Sequence, residues 1–158
     1  MPFVDNKFAV NNDITISSED GTFSTTISRK DAELSNMIQK SLAAAQSNTS
    51  YKVAYSKQNL ELLIEYLTHY AGDTPTSIPV PLPQNDLSKI LTVWDKQFVD
   101  KVWATGKASF KEFGYLALYF DVTPLIALVS AKWASLIMGL SLSEARLVFD
   151  VTSDKGRV

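Results

Sequence analysis

Cysteine is absent from the 158 residues, which excludes disulfides, thiolate nucleophiles, iron–sulfur clusters and thiolate zinc sites. Small secreted domains usually rely on disulfide staples, so the absence fits a reducing compartment. Histidine is nearly absent too: His69 stands alone, with no second histidine or carboxylate cluster at ligand spacing, so no metal site is expected. The six glycines are scattered singly and form no phosphate-cradling loop. No serine occupies a Gly-x-Ser-x-Gly elbow. Adjacent acids such as Glu19-Asp20 read as turn and solvent-facing groups, so no catalytic residue, no cofactor and no enzymatic activity are expected. A long apolar run is also missing, because the stretch 125–140 is broken by Ser130 and Lys132 and falls short of the ~20 residues that span a bilayer. Nor is there a basic excess: 15 Lys plus Arg against 17 Asp plus Glu give a net charge of −2, which disfavours a nucleic-acid partner. Residues 1–12 show no basic start followed by an apolar stretch, so no secretory leader is expected. The expectation is a soluble protein of the cytoplasm, the nucleus or both, with neither membrane nor nucleic acid as partner.

What is present is a globular composition, 46% hydrophobic and 11% aromatic, in a chain the size of one domain. Residues 1–11 read as a flexible arm. Ile14-Thr15-Ile16-Ser17 alternates apolar and polar side chains with the period of a half-buried strand. Asp20-Gly21 is a hairpin signal, since glycine takes positive φ without steric cost, and β-branched residues 22–27 form the returning strand. Ser28 with Asp31 has capping-box spacing, and Leu34, Ile38 and Leu42 then predict a helix over 31–45. A third strand is expected over 51–55. Ser56 then caps a helix whose apolar face is Leu60, Leu63, Ile64 and Leu67. His69 near the end of that helix reads as structural.

Residues 72–83 carry Pro75, Pro79, Pro81 and Pro83, none three residues from another, and read as a stiff exposed connector without a PxxP ligand motif. From Asp86 onward the pattern is helical. Trp94, Phe98 and Val102 mark one face, Thr105-Gly106 interrupts, and Phe110, Phe113, Ala117 and Phe120 begin another. Pro124 is expected to end or kink that segment. Ile126, Val129, Trp133, Leu136, Ile137 and Leu140 form a long stripe, and Ser141 with Glu144 caps a short last helix. Strands and helices first, then helices only, argue for an α+β fold with a helical appendage.

The stripe has two readings. It is ordinary core, or it is surface left over for another polypeptide, because no sheet follows for these helices to cover. Six such side chains buried against a partner are worth roughly 10–18 kcal/mol gross at ~1.5–3 each. Association and ordering consume much of that gain. A helix-in-groove contact is the natural form of the second reading.

Five segments, taken in order, carry a family resemblance. Residues 16–21 (Ile-Ser-Ser-Glu-Asp-Gly) resemble a first hairpin, and 60–75 a helix with its following linker. Val93-Trp94-Asp95 is similar to a Val-Trp-Asp helix entry, and 117–122 to an Ala-Asn-Tyr-Leu-Asp-Ile segment. Residues 133–151 keep an Ile-x-Gly, Ser, Glu-x-Arg, Phe-x-Val order. Together these resemble the S-phase-kinase-associated (Skp) family, adaptors that join F-box proteins to cullin scaffolds in ubiquitin ligases for ubiquitin-dependent protein degradation.

The resemblance implies a BTB/POZ-like α+β domain over 12–125, with the linker 72–83, followed by Skp-type dimerisation and F-box-binding helices over 126–158. It implies a non-enzymatic adaptor with an F-box protein and a cullin as partners. Carried over by position, Leu125, Val129, Trp133, Leu136, Ile137, Leu140, Phe149 and Val151 would hold the F-box, and Leu118 and Tyr119 would face the cullin. The chain departs from the pattern in three places. Leu118 stands where the family usually has Asn, and the stretch 98–110 is longer than the family norm. After Val151 the family's last clasping helix does not follow, which implies a less enclosed F-box site. Two alternatives stay open: an F-box partner held in a cullin-independent structural complex such as a kinetochore, and a self-associating BTB-like homodimer.

Overall fold

The computed structural model describes residues 13–45 and 49–150. Its strands are β1 (Ile14–Ser18), β2 (Ser24–Ile27) and β3 (Ser50–Val53). Its helices are α1 (Asn36–Ala44), α2 (Lys57–Tyr70), α3 (Val93–Trp103), α4 (Lys107–Phe120), α5 (Thr123–Ile137) and α6 (Leu142–Phe149). Single 3₁₀ turns occupy Asp31–Leu34 and Leu87–Lys89. The class is α+β as expected, and a small three-stranded sheet with helices is compatible with a BTB/POZ-like domain. The expected arm over 1–11 lies outside the described residues. Two compact units emerge: the described parts of Met1–Thr74 with Leu116–Thr123, and of Pro75–Tyr115 with Pro124–Val158.

In the first unit the strand order is β2-β1-β3. β1 pairs antiparallel with β2, Ile14 opposite Ile27, and parallel with β3, Thr15 opposite Ser50. Alternation along β1 buries Ile14 and Ile16, the period-two pattern of a sheet with one covered face. The turn between β1 and β2 is tied by Asp20, whose carboxylate accepts from the Thr22 amide at 3.0 Å and from the Ser18 and Thr22 hydroxyls at 2.7 Å. These bonds, the Thr22 amide first, hold its pKa down from 3.8 to about 2.

The helix expected over 31–45 is divided. Asp31–Leu34 forms a 3₁₀ turn, Ser35 is extended (φ −88°, ψ 106°), and α1 begins afresh at Asn36. Ser28 Oγ accepts from the Asp31 amide at 3.0 Å, as the capping spacing predicts. The break at Ser35 is made by its buried hydroxyl, which accepts from the Ile38 amide (3.2 Å) and donates to the Phe120 carbonyl (2.6 Å). A serine that can cap a helix and satisfy a distant carbonyl does not continue the turn before it. The end of α4 is sewn to the same place: the Asn36 amide donates to the Asp121 carbonyl at 3.0 Å and its side chain to Thr123 Oγ1 at 3.1 Å.

α4 is stopped by Asp121 in the left-handed region (φ 52°), with the Val122 amide donating to Ala117 O and the Asp121 amide to Leu118 O, each at 3.1 Å. Pro124, expected to end or kink that helix, instead sits in the first turn of α5, where a missing amide costs nothing. Ser56 caps α2 as expected, accepting from the Asn59 amide at 3.2 Å. α2 buries Leu60, Leu63, Tyr66 and Leu67. Just past its end, Gly72 (φ +85°) lies against the 3₁₀ turn, and a Cβ there would stand 2.6 Å from Glu33 Oε1 and 2.8 Å from Lys30 O. No other residue type fits.

The second unit is helical. Thr92 caps α3 by accepting from the Asp95 amide at 3.2 Å. Phe98, Val99, Val102, Phe110 and Phe113 are buried, with the Phe98 and Phe113 rings 6.2 Å apart and Trp94 stacked on Phe98 at 5.0 Å. Lys132 of α5 reaches Asp100 of α3 at 3.2 Å, and Lys96 bonds the other Asp100 oxygen. Partial burial raises the Asp100 pKa, but the bonds from Lys96 and Lys132 outweigh it and hold the carboxyl below its ordinary range.

Candidate docking surface

Trp133, on α5, is the centre of an aromatic cluster in the second unit. Its ring lies 5.5 Å from Trp103, 5.4 Å from Phe110 and 4.8 Å from Phe149, the first two edge-on as ring quadrupoles prefer. Lys132 places its ammonium 5.8 Å from the Trp103 ring centre. The cluster therefore draws one ring from each of α3, α4, α5 and α6.

α6 is built locally. Ser141 Oγ accepts from the Glu144 amide at 3.2 Å, and the Glu144 carboxylate accepts from the Ser141 amide at 2.9 Å, completing the expected capping box. The same backbone bond, joined by the Ser141 hydroxyl, lowers the Glu144 pKa. At the other end Lys107 Nζ donates to the carbonyls of Leu147 (3.2 Å) and Asp150 (3.4 Å). Yet α6 buries no residue at all. Leu142 is 71% exposed, Leu147 57%, Leu140 39% and Phe149 38%. Leu142 and Phe149 fall two turns apart on one face while Leu147 points off it, so apolar surface runs round the helix rather than down one side. A short helix with that surface has not found its full complement of neighbours within the unit.

The sequence-predicted F-box residues divide accordingly. Leu125 and Val129 are buried within the chain. They lie on the first two turns of α5, which join Leu128 and Ala131 in the chain's own core. Trp133, Leu136 and Ile137 are half-buried, Leu140 and Phe149 are exposed, and Val151 lies outside the described residues. Sequence reasoning missed Met138, Leu142 and Leu147. Met138 follows Ile137 directly, about 100° round the helix from it and off the stripe, and the other two lie on no single stripe, so a one-face search passes over all three.

In the first unit Leu118 is 56% and Tyr119 49% exposed at the end of α4. The Tyr119 ring lies 6.1 Å from Tyr55. Tyr55 in turn lines a shallow cleft of about 320 Å³ with Glu19, Asp20, Ala54 and Ser56. His69 is exposed at the end of α2, edge-on to Tyr70 at 4.8 Å. Among the described residues no group of three or more His, Asp or Glu is placed to hold a metal ion, and no buried side-chain polar atom lacks a partner. No helix among them is long and apolar enough to cross a membrane.

No protein-family profile matches the chain. Among curated proteins it is similar to the S-phase kinase-associated protein 1 homolog of Tetrahymena thermophila, 30% identical over 98 residues. That match spans 62% of this chain and 57% of the relative. It is also similar to the E3 ubiquitin ligase complex SCF subunit sconC of Arthroderma benhamiae, 26% identical over 146 residues, 90% of this chain and 85% of the relative.

Proposed function

We propose, from its similarity to a relative named S-phase kinase-associated protein 1 homolog and to one named as an SCF ubiquitin ligase subunit, that the chain is a non-enzymatic adaptor holding an F-box protein and linking it to a cullin scaffold in a ubiquitin ligase complex. In this reading residues 12–125 form the BTB/POZ-like, scaffold-facing part, and 126–158 the helices that hold the F-box. The work is done in the cytoplasm, the nucleus or both. Catalysis is positional: the chain brings a substrate receptor to a ligase and supplies no reacting group. The observation that carries the reading is α6, apolar and exposed with nothing buried, next to half-buried Trp133, Leu136 and Ile137. Leu140, Leu142, Leu147 and Phe149 complete the surface offered to the F-box, and Leu118 and Tyr119 face the scaffold.

One observation favours a second reading. Leu118 presents an apolar side chain where the family usually has Asn, so a polar scaffold group would lose its partner there. An F-box partner held in a cullin-independent structural complex fits that residue.

The test is capture of an F-box segment and of a cullin N-terminal domain by the purified chain. The expected result is that the double variant Leu142→Asp, Leu147→Asp stays folded but loses the F-box segment. Tyr119→Asp keeps the F-box segment and loses the cullin. A folded monomer that retains no F-box segment removes both adaptor readings. A concentration-dependent dimer dispersed by Trp133→Asp supports self-association instead.

A further inference from the structure

Phe149 and Trp133 both sit on the surface offered to a partner, yet in this structure they contact each other. Their ring centres are 4.8 Å apart at 37°, with Phe149 closing one side of the Trp103–Phe110–Trp133 cluster. The helix that brings Phe149 there has the anatomy of a detachable part. Its own capping box makes it a self-contained helix of about two turns, and it buries no residue. The connection to α5 passes through Gly139, at φ +80°, where a Cβ would meet nothing within 4 Å, so the glycine serves the backbone bend rather than packing. At the far end the Leu147 carbonyl, which also accepts from the Asp150 amide at 3.2 Å, and the carbonyl of the C-cap residue Asp150 accept from Lys107 at 3.2 and 3.4 Å. A cation at that end also meets the negative pole of the helix dipole.

We propose that α6 is a flap pivoting at Gly139, that Lys107 is its latch, and that in the free chain the flap closes the Trp133 cluster with its own Phe149. An apolar side chain of the F-box segment takes the place at Trp133 that Phe149 holds, and the flap then seats against that segment. Lys107 is a positioning residue: it sets the angle of α6 and touches the partner only through it. The adaptor reading enters only in naming what displaces Phe149; the flap and its latch are tested without any partner, so either idea fails alone.

The experiment uses the full chain, with hydrogen–deuterium exchange of the α6 amides and the fluorescence of the apolar dye 1-anilinonaphthalene-8-sulfonate. Lys107→Ala is expected to speed exchange over residues 142–149 about two- to five-fold, the loss of one cation at a helix C-terminus. Exchange in α5 should not change, and dye fluorescence should rise. Lys107→Arg restores both readings, because a guanidinium still reaches the carbonyls. Phe149→Ala gives the same dye response with Lys107 intact. The proposal is overturned if Lys107→Ala leaves α6 exchange unchanged, if α5 loosens with it, or if α6 of the unaltered chain exchanges as an unfolded segment does.

Discussion

Replacing leucine by alanine along the carboxyl-terminal helices repeats one chemical change in surroundings that differ only in burial. Leu125 is 0% exposed and Leu142 is 71% exposed, and both belong to the second unit. At Leu125 the change removes buried methyl groups and leaves a cavity that neighbours fill only in part, which costs about 2–5 kcal/mol. At Leu142 most of the side chain already meets water, alanine is at least as good a helix former, and the cost stays within about 0.5 kcal/mol. All three tryptophans of the chain, Trp94, Trp103 and Trp133, lie in the same unit, so urea unfolding followed by tryptophan fluorescence reports on the right part of the molecule. The expected result is a lower midpoint for Leu125→Ala at unchanged slope, and overlapping curves for Leu142→Ala and the parent. A loss of more than about 2 kcal/mol at Leu142 would mean that α6 is core. A loss below about 1 kcal/mol at Leu125 would contradict its place in the core.

Three further outcomes follow from the first unit. Ser35→Ala removes a helix cap (about 1 kcal/mol) and deprives the Phe120 carbonyl of its donor (about 1–3), so thermal or urea unfolding should show a loss of about 2–4 kcal/mol; a loss under about 0.5 kcal/mol contradicts the structure there. Gly72→Ala places a Cβ 2.8 Å from the Lys30 carbonyl at φ +85° and should cost more than about 1 kcal/mol, checked by the same unfolding curves. Asp20, whose pKa is lowered from 3.8 to about 2 in the folded hairpin, contributes stability that is complete above about pH 4 and lost as pH falls toward 2. Its carboxyl carbon followed by NMR should titrate near 2, and a midpoint near 4 would show that the bonds from Thr22 and Ser18 do not persist in solution.

Local signals were legible at Ser56 and Ser141, where the partner of the capping side chain lies within one helical turn. The caps at Ser56 and Ser141 and the strand alternation at Ile14 and Ile16 follow from neighbours in the chain, and the structure has them. Ser35 was not legible. The spacing of Leu34, Ile38 and Leu42 runs straight through it, and the carbonyl it serves is 85 residues away. Pro124 marks a boundary, but it opens α5 while Asp121 closes α4. Periodicity showed that α5 has an apolar face without showing what that face meets: the same stripe contains buried Val129, half-buried Trp133 and exposed Leu140. Leu142 and Leu147 escaped because neither shares a stripe with the other, and only the absence of buried residues in α6 marks them out.

The proposed function requires the apolar surface of α6 and the Trp133 cluster to be a docking site for another polypeptide. Light scattering on a mixture of the chain, an F-box segment and a cullin N-terminal domain weighs the resulting assembly directly. The proposed function predicts a single three-part complex that loses the F-box segment, and with it the assembly, when Leu142 and Leu147 both become Asp. A complex that survives that double change intact, or a folded chain that stays alone in the mixture, would contradict it.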